Sequence, residues 1–365
     1  MPHFDIIREQ HPKKTFRVAS VMGTYDLQTE HVTEHFEGDI SLPSEWNVGL
    51  IVGHSGTGKT TIARELFADA IIDHLEYKAE SILDDMPKEA SVTEICKALN
   101  SVGFSAPPSW LKPYSVLSNG EKMRCDIARA MLENRDMFVF DEFTSVVDRD
   151  VAKIGSFALQ KAVRRAKKKF VAVTCHFDVQ EWLMPDWIFN TDTMQFQIID
   201  LETQKKNRPV IQIDIFETKE KQHYWRIFRK YHYLNYSFNE AAHVYIATVN
   251  GSLAAMVAVL AFPHPKTKNI WREHRIVVLP DYQGIGISRH LTDFIAQRYK
   301  DAGNRYICTT SHTVLIMSRK SNPNWITTRI GRAAGVSKSK QRQVNVTSHA
   351  RITASFEYIG NSVSK

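Results

Sequence analysis

The sequence predicts two consecutive domains, an α/β domain over residues 1–205 and an α+β domain over residues 206–365. Three observations carry this reading. Brief apolar runs alternate with helical stretches in the first half. Strands follow one another more closely in the second half, around a strong hairpin signal. The charge also changes sign between the halves: residues 1–200 hold 22 Lys and Arg against 30 Asp and Glu (net −8), and residues 201–365 hold 25 against 10 (net +15). The crossover falls in the polar stretch Asp200–Arg208, just before Pro209, where a linker belongs.

In the first half, Asn47–Val52, Met137–Asp141 and Phe170–Thr174 are short runs rich in Val, Ile and Phe. Parallel strands covered on both faces have this composition. In the second half, Val210–Phe216, His243–Val249, Leu253–Ala261, Arg275–Leu279 and Tyr306–Thr310 are expected strands. Asn250-Gly251 joins the second and third of these as a two-residue hairpin turn. Helices are expected at Gln222–His232 and Ile287–Asp301, and no internal repeat is visible.

Composition narrows the class. Apolar residues make up 43% and charged residues 24%, which excludes a disordered or fibrous chain. The longest apolar run, Leu253–Phe262, has ten residues, about half of the ~20 that a membrane helix needs. Asp5, Arg8 and Glu9 stand where a signal peptide needs its apolar core. Four widely spaced cysteines (Cys96, Cys125, Cys175, Cys308) suit a reducing compartment, so a cytoplasmic protein without a membrane partner is expected. The basic second half implies a polyanionic partner, either a nucleic acid or a phosphate-rich cofactor.

Gly53-His54-Ser55-Gly56-Thr57-Gly58-Lys59-Thr60 has the G-x-x-x-x-G-K-[ST] spacing of a phosphate-binding loop. Gly53, Gly56 and Gly58 let backbone N–H groups turn inward, with Ser55 and Thr61 completing the cradle. Lys59 reaches the outer phosphates of ATP, and Thr60 offers its hydroxyl to Mg²⁺. The loop follows a strand and opens a helix at Thr61–Phe67, whose positive end favours the anion. The strand Phe138-Val139-Phe140 delivers Asp141 and Glu142 to its end. Asp141 suits Mg²⁺ held through water, and Glu142 suits polarising the attacking water.

Leu117-Ser118-Asn119-Gly120-Glu121-Lys122 stands 23 residues before Asp141, Ser145-Val146-Val147-Asp148 follows directly, and His176 lies 35 residues after it. With these elements the first 200 residues resemble the ATP-binding-cassette (ABC) ATPases, an α/β P-loop NTPase fold. The resemblance implies that Ser118 and Gly120 belong to the signature that caps ATP held by a second chain, giving a homodimer through an ATP sandwich. It makes Asp148 the D-loop residue and His176 the switch histidine. Asn119 and Glu121 depart from the family's glycine and glutamine. No glutamine lies between Lys59 and Ser118, which leaves Asp84 or Asp85 to replace the family's Q-loop residue. Only 59 residues separate Lys59 from Ser118, so the arm that couples transporters to membrane subunits looks trimmed, and a non-transporter is expected. Tyr25 is the candidate for stacking on adenine.

Strand, glycine turn and helix recur at Arg275–Leu279, Gln283-Gly284-Ile285-Gly286-Ile287-Ser288 and the following helix. Together with the preceding hairpin, residues 209–360 resemble the GNAT acetyltransferase superfamily. The resemblance implies acetyl-CoA or another acyl-CoA as cofactor. Backbone around Val277, Val278 and Leu279 would meet the pantetheine arm. Gln283, Gly284, Gly286 and Ser288 would meet the pyrophosphate. Glu273 would be the general base and His312 would protonate the leaving thiolate. Ser288 stands where that family's loop has Gly or Ala.

His223–Tyr233 interleaves bases with aromatics, and Arg329–Arg342 adds five cations without an acid, as a basic loop. Both suit phosphates and stacked bases. The function expected is thus an ABC-type ATPase coupled to an acyl or related group transferase acting on a nucleic-acid amine, as in the Mom-type phage members of the superfamily. Two alternatives stand beside it: an ATP-switched nucleic-acid clamp with a non-catalytic GNAT fold, and an acetyltransferase of a small-molecule or protein amine.

Overall fold

The computed structural model describes residues 3–10, 13, 15–26, 32–73, 75–200, 202, 206, 208–232, 237–332 and 352–360. In chain order the first elements are β1 (His3–Gln10), α1 (Phe16–Thr24), β2 (Val32–Asp39), β3 (Val48–Val52), α2 (Lys59–Phe67), α3 (Val92–Ser101), α4 (Pro107–Trp110) and α5 (Asn119–Leu132). After these come β4 (Met137–Phe140), α6 (Arg149–Ala166), β5 (Lys169–Thr174), α7 (Gln180–Leu183), β6 (Trp187–Asn190) and β7 (Gln195–Ile198). The remainder holds β8 (Ile213–Thr218), α8 (Lys221–Phe228), β9 (His243–Val249), β10 (Ser252–Ala261), β11 (Ile270–Val278), α9 (Ile287–Asp301), β12 (Arg305–Thr310), α10 (Thr313–Lys320), β13 (Trp325–Arg332) and β14 (Ile352–Tyr358).

β3 is buried at all five positions, which fits a central strand covered on both faces. It lies in a sheet of order β4-β5-β3-β6-β7, parallel except for the edge strand β7. Val52 pairs with both Thr174 and Asn190, so β3, β5 and β6 end at one level. The turns after them therefore emerge along one edge, where ligands of open α/β sheets bind. The other end of β3 is clamped by Asp186, whose carboxylate accepts from Asn47 N (2.7 Å), Val48 N (2.9 Å) and Arg164 Nη1 (2.9 Å). Trp187 fills the core beside Trp46 and Phe67. β1 and β2 form a separate antiparallel pair that buries Phe4 and Phe36.

The second sheet has the order β13-β14-β12-β11-β10-β9-β8, antiparallel except where β11 meets β12. The β9–β10 hairpin turns through Asn250 and Gly251 at φ of 51° and 79°, the positive values that this two-residue turn demands. β11 and β12 pair only from Ile270–Arg272 to Arg305–Ile307, and past that register they are not paired with each other. On its other side β11 carries an extra residue, His274, between Glu273 (opposite Val259) and Arg275 (opposite Ala258). Such a bulge bends a strand and re-aims its side chains.

A boundary at 205/206 treats the chain as two continuous halves. By contacts the chain divides after Pro209, and the second unit also takes in residues 79–84 and 102–121, so the division passes through α5. The expected strands hold with shifted ends: Arg275–Leu279 begins at Ile270, and Val210–Phe216 is Ile213–Thr218. The helix expected over Gln222–His232 ends at Phe228 and continues as a 3₁₀ turn over Arg229–Tyr231. The basic loop expected over Arg329–Arg342 is in part strand, through Arg332, and residues 333–342 lie outside the described residues, as does Tyr233. Among the described residues no helix is long and apolar enough to cross a membrane.

A Cβ at Gly49 would fall 2.0 Å from the Trp187 ring. Gly49→Ala is therefore expected to destabilise the first unit by about 1–3 kcal/mol, the usual cost of overpacking a filled core. Urea unfolding of the variant beside the wild type measures it.

Candidate functional site

The turn after β3 is built for an anion. Gly56 and Gly58 have φ of 87° and 80°, and a Cβ at Gly58 would meet the Phe36 ring of β2 at 2.4 Å, so only glycine fits that position. Gly53 is equally constrained, with Thr191 Oγ1 2.2 Å from where its Cβ would be. His54 closes the loop from outside. Its backbone N–H and ring Nδ1 meet the two oxygens of Asp192 at 2.8 and 2.6 Å, and its carbonyl accepts from Thr57 Oγ1 (2.9 Å) and Lys59 Nζ (2.5 Å). The contacts from His54, its backbone N–H foremost, hold the Asp192 carboxyl below its usual range. Ser55, Gly56 and Thr60 are exposed at the mouth, and Thr61 accepts from Arg8 (3.1 Å).

Asp141 follows β4, its carboxylate taking the Glu142 N–H (2.8 Å), while Glu142 is exposed in a left-handed conformation (φ 51°). The next residue returns to the sheet through Phe143 N to Val173 O (2.8 Å). His176 leaves β5 beside the loop, for Phe177 packs its ring 5.6 Å from His54. Desolvation, then the Arg149 guanidinium, push the His176 imidazole below its usual value, so it is neutral at pH 7. Asp148 caps α6 by accepting from Asp150 N (2.9 Å), and Arg149 pairs with Asp178 (2.5 and 3.2 Å). The loop before α6 is thereby tied to the loop after β5.

Ser118 and Glu121 form a reciprocal cap at the start of α5. Glu121 N donates to Ser118 Oγ (3.3 Å), and Ser118 N donates to Glu121 Oε2 (3.0 Å). Ser109 Oγ fills the other carboxylate oxygen (2.9 Å), and Glu121 is buried. The Glu121 departure thus has a structural cause, and the Ser-x-x-Glu spacing that signals it is plain in the sequence. Ser118 and Asn119 stay exposed, and Gly120 is buried. Tyr25 closes α1 with 72% of its surface exposed. Asp85 accepts from Lys78 N (3.0 Å), which spends part of its carboxylate locally.

In the second unit, β11 leads through a 3₁₀ turn, Pro280–Tyr282, into the second glycine loop. Gly284 and Gly286 are exposed at φ of 87° and 96°, and α9 starts immediately after. A shallow dent beside α9 is lined by Ser288, Arg289, Asp293, Ser318, Arg319 and Trp325.

The structure gives partners to the side chains of two of the expected acyl-CoA-site residues. The Gln283 carboxamide is engaged within the unit: Nε2 donates to Val278 O (2.8 Å), and Oε1 accepts from Ser105 N (2.6 Å). Val278's carbonyl, assigned to pantetheine, is filled by the same contact, and Leu279 N is bonded to Ala254 O (2.9 Å). Glu273, assigned as general base, accepts at both oxygens from Arg319 Nη2 (2.8 and 2.7 Å). The pair is buried, with 5% and 4% of the side chains exposed, and Arg319 lies 4.9 Å over the Trp325 ring. It sits where β11 and β12 part, and it fixes the Glu273 carboxylate against Arg319. His312 precedes α10, where desolvation pushes its imidazole below the usual value and the Ser105 backbone partly offsets this.

Sequence reasoning passed over His274. Its Nε2 is buried without a hydrogen-bond partner, and burial with Arg275 and Arg272 nearby pushes its pKa down to about 4. On α8 Trp225 and Phe228 are buried, while Arg226 and, in the 3₁₀ turn that follows, Arg229 and Lys230 are exposed, so the interleaved pattern sorts into core and basic positions.

Two candidate phosphate sites thus stand out, one after the parallel strand β3 and one after β11, where it parts from its parallel neighbour β12. Residues 196–315 match the model of the acetyltransferase (GNAT) family. An uncharacterized ABC transporter ATP-binding protein of Haemophilus influenzae is 31% identical over 136 residues, covering 29% of this chain and 55% of that one. The mRNA export factor elf1 of Schizosaccharomyces pombe is 30% identical over 122 residues, covering 27% and 11%. Among solved structures, a dimeric post-hydrolysis ATP-binding cassette bound to ADP and phosphate has a TM-score of 0.37 at 16% identity, covering 46% of this chain and 93% of that one. The chain spans little more than half of the Haemophilus relative and about a tenth of the yeast factor. The second half of the chain thus carries the match to the GNAT family model, and the chain is also similar to ABC ATP-binding proteins.

His274 makes stability pH-dependent. Its folded pKa lies below that of the unfolded chain, so its contribution is fully present above about pH 6.5 and is lost as pH falls towards about 4. His274→Gln is expected to flatten the fall in melting temperature over that window, as read by scanning calorimetry.

Proposed function

We propose that the chain is an ATP-hydrolysing enzyme whose ATP cycle governs an acyl-CoA-dependent transferase acting on an amine of a nucleic acid. The ATP half of this reading rests on the loop Gly53–Thr60, where Gly56 and Gly58 hold the backbone open ahead of α2. Lys59 balances phosphate charge there. Glu142, exposed beside Asp141, takes the proton of the attacking water, and neutral His176 donates a hydrogen bond to the γ-phosphate. Thr60 and Asp141 offer hydroxyl and carboxylate oxygens, the hard donors that Mg²⁺ prefers, so they would hold it; the ion's chemistry is to offset charge on the phosphates. Ser118 is exposed at a helix start without a base of its own, which suits capping a phosphate held by a second copy of the chain.

The observation that carries the acceptor class is a cluster of exposed cations, Arg226 on α8 and Arg229 and Lys230 in the 3₁₀ turn that continues it, beside the buried Trp225 and Phe228. Lys230 also lies 4.9 Å over the Tyr231 ring, next to the same helix. Cations on phosphates and rings under bases are what a passing strand requires. The Glu273–Arg319 pair favours a second reading, in which the GNAT fold binds without catalysing and the protein is an ATP-switched nucleic-acid clamp. Acetyl-CoA binding and transfer separate the two.

Glu142→Gln is expected to keep ATP affinity, slow hydrolysis by at least a hundredfold and accumulate an ATP-bound dimer. Ser118→Arg in the same background should return the dimer to monomer, read by light scattering. A Glu142→Gln protein that stays monomeric with ATP removes the sandwich.

The full chain is expected to bind nucleic acid with affinity that drops steeply between 50 and 200 mM salt. Charge reversal at Arg226, Arg229 and Lys230 should lower the salt slope by roughly 0.7–0.9 per lost contact. Mass spectrometry of nucleic acid incubated with the chain, ATP and acetyl-CoA should show an added acetyl group. No binding to duplex DNA, single-stranded DNA or RNA at low salt rules out the nucleic-acid acceptor; binding without added mass leaves the clamp.

A further inference from the structure

Residues 102–121 belong to the second unit and end in Ser118 and the start of α5. They are not a loose connection. Val102, Phe104, Ala106 and Trp110 are buried. Trp110 Nε1 donates to Phe104 O (3.0 Å), Ser81 Oγ donates to Trp110 O (3.0 Å), and Ile82 N donates to Lys112 O (3.0 Å). At one end of this arm, Ser109 Oγ and Ser118 N share the Glu121 carboxylate. At the other end, Ser105 N holds the Gln283 carboxamide, which in turn holds Val278 O. Gly103 has φ of 82°, and a Cβ there would stand 2.7 Å from Gln283 O and 3.3 Å from Gly284 Cα. The arm therefore presses backbone against backbone on the second glycine loop.

We propose that this arm couples the two phosphate sites, so that ATP engaged at Ser118 and acyl-CoA bound at Gln283–Ser288 change each other's affinity; the inference rests on both ligands binding as proposed above. The two states differ in one donor. Ser118 N–H serves Glu121 in the present arrangement, and a phosphate at Ser118 competes for it while repelling the Glu121 carboxylate. Displacing Glu121 frees Ser109, and the strain passes through the Trp110–Phe104 contact to Ser105 and so to Gln283. Coupling of this kind is reciprocal, because linkage makes each ligand alter the other by one common factor.

Calorimetric titration of the full chain with acetyl-CoA, with and without a non-hydrolysable ATP analogue, tests it. The expected result is an affinity change of about fivefold or more, matched by the same factor for the analogue when acetyl-CoA is present. Gly103→Ala should bring the factor towards one. Hydrogen exchange of the wild type across Val102–Ala106 gives an independent readout, expected to change with either ligand alone. Two ligands that bind with unaltered affinities overturn the coupling, whatever the exchange shows. Failure of either ligand to bind overturns the functional reading instead.

Discussion

A backbone held in the left-handed region at the first step of a helix is the constraint on which this protein turns, and it is met twice. Gly58 (φ 80°) precedes α2, and Gly286 (φ 96°) precedes α9. In each case a strand ends, the chain doubles back without a side chain in the way, and N–H groups that the helix cannot use face outward. An L-residue at either position would take on backbone strain, and at Gly58 it would also collide with Phe36. The surrounding architecture serves these two turns. β3, β5 and β6 end at one level to gather the loops around the first. β11 and β12 part to make room beside the second.

What distinguishes the second site is how many of its polar groups are already committed. Glu273 is neutralised by Arg319, Gln283 is satisfied at both ends of its amide, and Val278 has its carbonyl filled. A buried ion pair contributes little net stability but is costly to break, because it leaves one charge unpaired. Arg319 with Trp325 thus holds the parted strands in shape as a polar wedge.

The parts legible in the sequence were those governed by local rules. The phosphate-binding loop, the Asn250-Gly251 hairpin and the full span of α9 follow from residue type at fixed spacing. The buried strands of the first half follow from composition. β1 and β2 were missed because charged residues interrupt their alternation, and only Phe4 and Phe36 show which face is inside. β13 and β14 were missed because their pairing spans a long intervening segment. The partners of Glu273 and Gln283 were not legible, because Arg319 and Ser105 lie 46 and 178 residues away. Spacing along the chain carries no information about such contacts.

That last separation has a consequence for how the chain comes into being. Phe104 and Trp110 are made early, but Gln283, on which their segment rests, follows 178 residues after Ser105. At about 5–20 residues per second, ribosomal synthesis leaves the segment without its docking surface for on the order of ten to forty seconds. A nascent chain halted near residue 205 would display those apolar side chains uncovered. The second unit therefore cannot finish folding until residues well past 205 are made, because its own early segment, 102–121, closes on them.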